Sequence, residues 1–136
     1  MVLGACVCYN KNIVSARNLY FGGIKMWGIC LDVSLCDGKL FQRVIEYELS
    51  SENKAIIVQP FQNLEIDLLK LSGISYSPKY TYGTYVCPVN HPDRKGKIRD
   101  IIWHFKNRTF NYYIEVNNKK ISKRYYEEDL VNADLP

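Results

Sequence analysis

Along most of the chain the apolar residues recur every second position, the spacing of a strand with one buried face. Trp27, Ile29, Leu31 and Val33 fall on one side of a first such run. Cys36-Asp37-Gly38-Lys39 reads as a turn. Leu40–Leu49, with Phe41, Val44, Ile45 and Tyr47, and Lys54–Gln59, with Ile56-Ile57-Val58, are two further strands. Ser50-Ser51-Glu52-Asn53 joins them and Pro60 ends the second, so residues 40–59 form a hairpin. The next stretch, Phe61–Ser72, carries two patterns at once. Leu64, Leu68 and Leu71 keep helical spacing, with Asn63 as a cap and Gly73 just past the end, while Leu64, Ile66 and Leu68 alternate. The helical spacing is the reading taken, which adds one short helix to an otherwise β-rich chain. Residues 72–78 have the composition of a linker.

The C-terminal part is patterned more sharply. Gly83–Val89 is a strand interrupted by Pro88, and Asn90-His91-Pro92-Asp93 is a loop. Gly96–Phe105 is a long strand with Ile101, Trp103 and Phe105 on its inner face; Ile98 is out of phase with them, which predicts a bulge near Arg99-Asp100. Lys106-Asn107-Arg108 is a tight connection to Thr109–Val116, which places Phe110, Tyr112, Ile114 and Val116 on one face and Asn111, Tyr113 and Glu115 on the other. Asn117-Asn118 suits a type I′ hairpin turn, because asparagine tolerates the positive φ required at both central positions. Lys119–Tyr126 is the next strand, and Glu127-Glu128-Asp129-Leu130 a single helical turn before a short last one.

This order resembles SH3-like barrels of the Tudor or KOW type, in which a Gly-x-Ile strand (here Gly96-Lys97-Ile98) follows the first loop, an aromatic-rich hairpin comes next and a short turn precedes the final strand. The block Ile101–Leu130, with Trp-His-Phe-Lys, Tyr-Tyr and Lys-Lys-Ile-Ser-Lys-Arg-Tyr-Tyr-Glu-Glu-Asp-Leu, is similar to small bacterial proteins without an assigned activity. The resemblance implies a five-stranded C-terminal barrel, and it brings no catalytic residues. The expected fold is therefore mainly β. A weakly patterned extension occupies residues 1–25, a β-rich subdomain residues 26–78 and an SH3-like barrel residues 79–136, with the 40–59 hairpin packed against the barrel.

Composition changes this picture in two places. The net charge of +4 is modest, but Arg94–Arg124 holds ten basic residues against Asp100 and Glu115 alone, and Glu127-Glu128-Asp129 follows at once. Tyrosines number 11, and ten aromatic residues lie between Tyr80 and Tyr126, more than a small barrel can bury. Together these give a candidate binding surface of Tyr85, Arg94, Arg99, Arg108, Tyr113, Arg124 and Tyr126. The five cysteines, Cys6, Cys8, Cys30, Cys36 and Cys87, are odd in number and irregular in spacing, which fits reduced thiols in a cytoplasmic protein. No stretch has the ~20 apolar residues of a membrane span.

Chemistry has little to stand on. His91 and His104 are the two histidines, and a Cys87/His91 nucleophile pair would lack an elbow motif or an oxyanion hole. The cysteine spacings do not make paired zinc knuckles, and no phosphate-cradling glycine motif occurs. Neither a catalytic residue, a metal nor a cofactor is expected. The expectation is a non-enzymatic, cytoplasmic binding module without membrane attachment. Its partner is a protein, in the sharpest form a toxin enzyme held by an immunity-like inhibitor. The alternative is a nucleic acid gripped by the basic, tyrosine-rich face.

Overall fold

The structure of the protein, a computed structural model, describes residues 24–134. The extension assigned to 1–25 lies outside them except for Ile24 and Lys25, and Lys25 already opens a strand. The described residues hold ten strands: β1 (Lys25–Cys30), β2 (Val44–Leu49), β3 (Lys54–Gln59), β4 (Leu64–Asp67), β5 (Leu71–Ile74), β6 (Tyr85–Pro88), β7 (Gly96–His104), β8 (Thr109–Val116), β9 (Lys119–Lys120) and β10 (Leu130–Asn132). They form two antiparallel sheets, ordered β4-β3-β2-β1-β5 and β10-β6-β7-β8-β9. The fold is mainly β, as the alternation predicts. The chain divides into two compact units, the first running to Phe41 and from Ile45 to Ser75, the second taking Gln42–Val44 and residues from Tyr76 onward.

The first unit buries Cys30, Leu40, Ile45, Tyr47, Ala55, Ile57 and Ile66 together. Its hairpin is β2–β3, although β2 begins only at Val44, because residues 39–42 are spent on a turn that puts Gln42 at φ 67°. β1 stops at Cys30, so Leu31 and Val33 do not continue the inner face and stand exposed. The short helix expected over Phe61–Ser72 is absent. Asn63, read as its cap, instead takes a left-handed backbone (φ 66°) and closes the β3–β4 turn, its amide donating to Ile57. Leu64, Leu68 and Leu71 do share the core side, but they reach it from a strand, a 3-10 turn (Leu68–Lys70) and a strand. Leu64–Asp67 alternates because β3 offers it a complete ladder, Lys54↔Asp67 to Ile57↔Leu64.

That 3-10 turn shapes the sheet. The edges of a flat five-stranded sheet lie roughly 19 Å apart. Asp67 on one edge and Leu71 on the other are joined by steps that span at most about 15 Å. The sheet therefore curls, although no ladder closes it. The Asp67 carboxylate caps the turn by accepting from the Leu69 amide at 3.0 Å.

The second unit repeats this plan. Its last strand again pairs antiparallel with its first, and a three-residue 3-10 turn, Glu127–Asp129, again precedes that strand. Its buried residues include Tyr80, Val86, Ile98, Ile101, Trp103, Phe110, Tyr112, Ile114, Tyr125 and Leu130. The bulge appears where the phase of Ile98 requires it, between Ile98 and Asp100. Asn117 and Asn118 both adopt positive φ, 53° and 65°. Two expectations fail here. Phe105, placed inside by alternation, is exposed because β7 ends at His104 and the chain is already turning. The strand expected over Lys119–Tyr126 is regular only at Lys119–Lys120, then bulges before a single bridge between Tyr125 and Tyr112.

Tyrosine hydroxyls tie this unit together. Tyr112 donates to the Glu127 carboxylate at 2.8 Å, the Lys79 amide donates to the same oxygen at 3.0 Å, and the Tyr80 hydroxyl donates to the Leu130 carbonyl at 3.0 Å. Tyr82 donates to the Val44 carbonyl, and Arg94 to the Tyr125 hydroxyl at 3.3 Å. Burial pushes the ionisation of Tyr112 and Tyr82 far above the ordinary tyrosine range, and for Tyr112 the hydrogen bond to Glu127 and that group's charge push the same way.

A raised folded value means that the neutral phenols stabilise the fold below the unfolded tyrosine pKa near 10 and that this contribution is lost as pH climbs beyond it. The urea midpoint should thus hold up to about pH 10 and fall steeply above it, and Tyr112→Phe should flatten that fall. A second test concerns Gly96, where an added Cβ would sit 2.5 Å from the Glu115 carbonyl oxygen. Gly96→Ala should cost about 3 kcal/mol, the upper end of overpacking penalties, in urea unfolding.

Candidate functional site

The outer face of the second sheet gathers the charged side chains. The registers Tyr85↔Lys97, Lys97↔Glu115 and Glu115↔Lys120 place these four in one row across β6, β7, β8 and β9, and residues directly opposite in a ladder share a face. Behind that row the bulge presents Arg99, and Asp100 stands opposite Tyr113. Arg43 adjoins β7 along the edge away from β8, through its bridge to Ile102.

Two carboxylates organise the cations. Asp100 accepts from Lys120 at 2.7 Å and from Arg43 Nε at 3.2 Å. Glu115 lies 3.4 Å from Arg99 and 3.7 Å from Lys97. Lys120 also stands over the Tyr113 ring, 4.7 Å from its centre. The pairs at Glu115 are loose and their cations half exposed, so each contributes little to stability. Their effect is on charge distribution: the positive groups of this face are met by negative groups on the same face. Toward the Asn117-Asn118 turn the face opens into a groove of about 300 Å³, lined by Tyr85, Lys95, Lys97, Glu115, both asparagines and Asp134.

Of the surface residues read from the sequence, Tyr85, Arg99 and Tyr113 come together on this face. The other four do not join them. Arg94 leaves the β6–β7 loop to bond Tyr125. Arg108 sits in the β7–β8 turn at the opposite end of the hairpin, with φ 53°. Arg124 is exposed in the irregular stretch after β9, and Tyr126 opens the 3-10 turn, its amide donating to Asp129 at 2.9 Å. Sequence reading missed Lys97, Glu115, Lys120, Asp100 and Arg43. The alternation of β7 and β8 already sets Lys97 and Glu115 on the outer side. Arg43, distant in sequence from Asp100, left no such signal.

His104 accepts from the Asn107 amide at 3.1 Å, and Cys87 is buried. Among the described residues no three His, Cys, Asp or Glu side chains stand together as a metal would need, and no helix is long and apolar enough to cross a membrane.

No curated protein and no solved structure matches the chain. A family profile does, over residues 42–131, more than half of the sequence, which takes in β2 to β9, both 3-10 turns that precede a fifth strand, and the paired carboxylates of the outer face. The chain belongs to the family of unknown function DUF6960.

Proposed function

We propose that this chain is a small, non-enzymatic binding module whose second unit is an SH3-like fold and whose partner is another protein. The strand order β10-β6-β7-β8-β9, with a 3-10 turn directly before the strand that returns to β6, supports the SH3-like reading. The observation that carries the choice of partner is the pairing of cations on the outer face. Lys120 and Arg43 are engaged by Asp100, and Lys97 and Arg99 by Glu115. A phosphate backbone is gripped by cations that are free to replace its counterions. A face that interleaves both signs with tyrosines fits a protein surface carrying the complementary pattern, where tyrosine and arginine serve as anchors.

Affinity capture with the full chain, with and without nuclease, tests this. Capture should be nuclease-insensitive, and Tyr113→Ala or Arg99→Glu should weaken it at least about tenfold, the loss of one anchor. Arg108→Glu, at the far end of the hairpin, should leave it unchanged. A partner released by nuclease, or a labelled oligonucleotide bound steeply at low salt, replaces this reading with the nucleic-acid one.

A further inference from the structure

The edge of the second sheet beyond β8 is unfinished. The Asn117-Asn118 turn sets Val116 opposite Lys119 and Glu115 opposite Lys120, and Ile121 donates to the Ile114 carbonyl at 2.9 Å. By antiparallel alternation Lys120 then turns its amide and carbonyl away from β8. Pairing resumes only at Tyr125, whose amide donates to Tyr112 at 2.9 Å and whose carbonyl accepts from it at 2.8 Å. A single residue of β8, Tyr113, thus faces three: Ser122, Lys123 and Arg124. All three are exposed, and among the described residues their main chain makes no hydrogen bond. The same short segment carries Lys119, Lys120, Lys123 and Arg124 with no acidic residue.

We infer that this edge, residues 119–124, is a docking strand for an extended, acidic segment of a partner protein. The inference rests on the protein-binding reading above and names what the partner presents. An open strand edge with unmatched N–H and C=O groups is completed by another peptide main chain, which supplies both donors and acceptors. A phosphate chain would use the cations and leave the carbonyls unmatched. A second copy of the same edge would bring lysines and an arginine against their like, which opposes pairing. Acidic side chains remove that conflict: Lys119 and Arg124 have no carboxylate partner among the described residues, and Lys123 leans over the Tyr125 ring at 5.6 Å. Charge thus selects the partner, and the main chain holds it.

The test uses the full chain and three labelled probes followed by fluorescence anisotropy at low salt. One is a short peptide of alternating glutamate and threonine. Another has the same charge but proline in place of threonine, which removes ladder donors. The third is an oligothymidylate. The Glu-Thr peptide should bind at least about tenfold more tightly than either other probe, and K119E/R124E should weaken it by about tenfold or more. Its binding should also shift the amide resonances of Lys120 and Ser122–Arg124, while K106E/R108E changes nothing. Equal binding of the proline peptide reduces the effect to charge alone and overturns the inference, as does tighter binding of the oligothymidylate or no binding of the Glu-Thr peptide. Partner capture that survives K119E/R124E but is lost with Tyr113→Ala removes the docking strand and leaves the protein-binding reading standing. Nuclease-sensitive capture removes that reading itself.

Discussion

The hydroxyl of Tyr112 donating to the carboxylate of Glu127 is the contact on which the second unit depends. Tyr112 is fully buried in the middle of β8, and Glu127 begins the last 3-10 turn. The same carboxylate oxygen takes the amide of Lys79 at the entrance to the unit, and Tyr80 next to it reaches the Leu130 carbonyl on β10. One acid therefore binds the first segment, a central strand and the closing turn. A buried polar group costs stability unless it is matched, so this set specifies the fold as well as stabilising it.

Much of this was legible from alternation alone. The bulge follows from Ile98 being out of phase, the β8–β9 turn from two adjacent asparagines, and the final turn from Glu127-Glu128-Asp129 ahead of Leu130. The errors share a cause, which is that a period says which side a residue faces and not which element carries it. Leu64, Leu68 and Leu71 face the core as a helix would have placed them, yet they belong to two strands and a turn. Phe105 and Val33 keep the right phase after their strands have ended, and so are exposed. The candidate face was half legible. Tyr85, Arg99 and Tyr113 were found through strand phase, whereas Arg43 depends on a long-range bridge to β7.

The repetition of one plan in both sheets was not visible in the sequence, where no internal repeat stands out. The shared features are topological: the order of strands, the return of the fifth to the first, and a three-residue turn before it. The residues that build those features differ. Asp67 caps the first turn through its side chain, while in the second the acid is Asp129, at the turn's other end. Trp27 faces Ile74 in the first sheet, and Tyr85 takes the matching place beside Ala133 in the second. Strand topology is shared by the two halves, while the side chains that build it differ.

That the last strand of each sheet returns to its first, Leu71 beside Cys30 and Leu130 beside Pro88, has a consequence for how such chains are assembled. In each sheet the first and the last strand in chain order are therefore neighbours. A fold with adjacent ends can be spliced into a loop of another protein, strung in series, or have its termini relocated without crossing its own core.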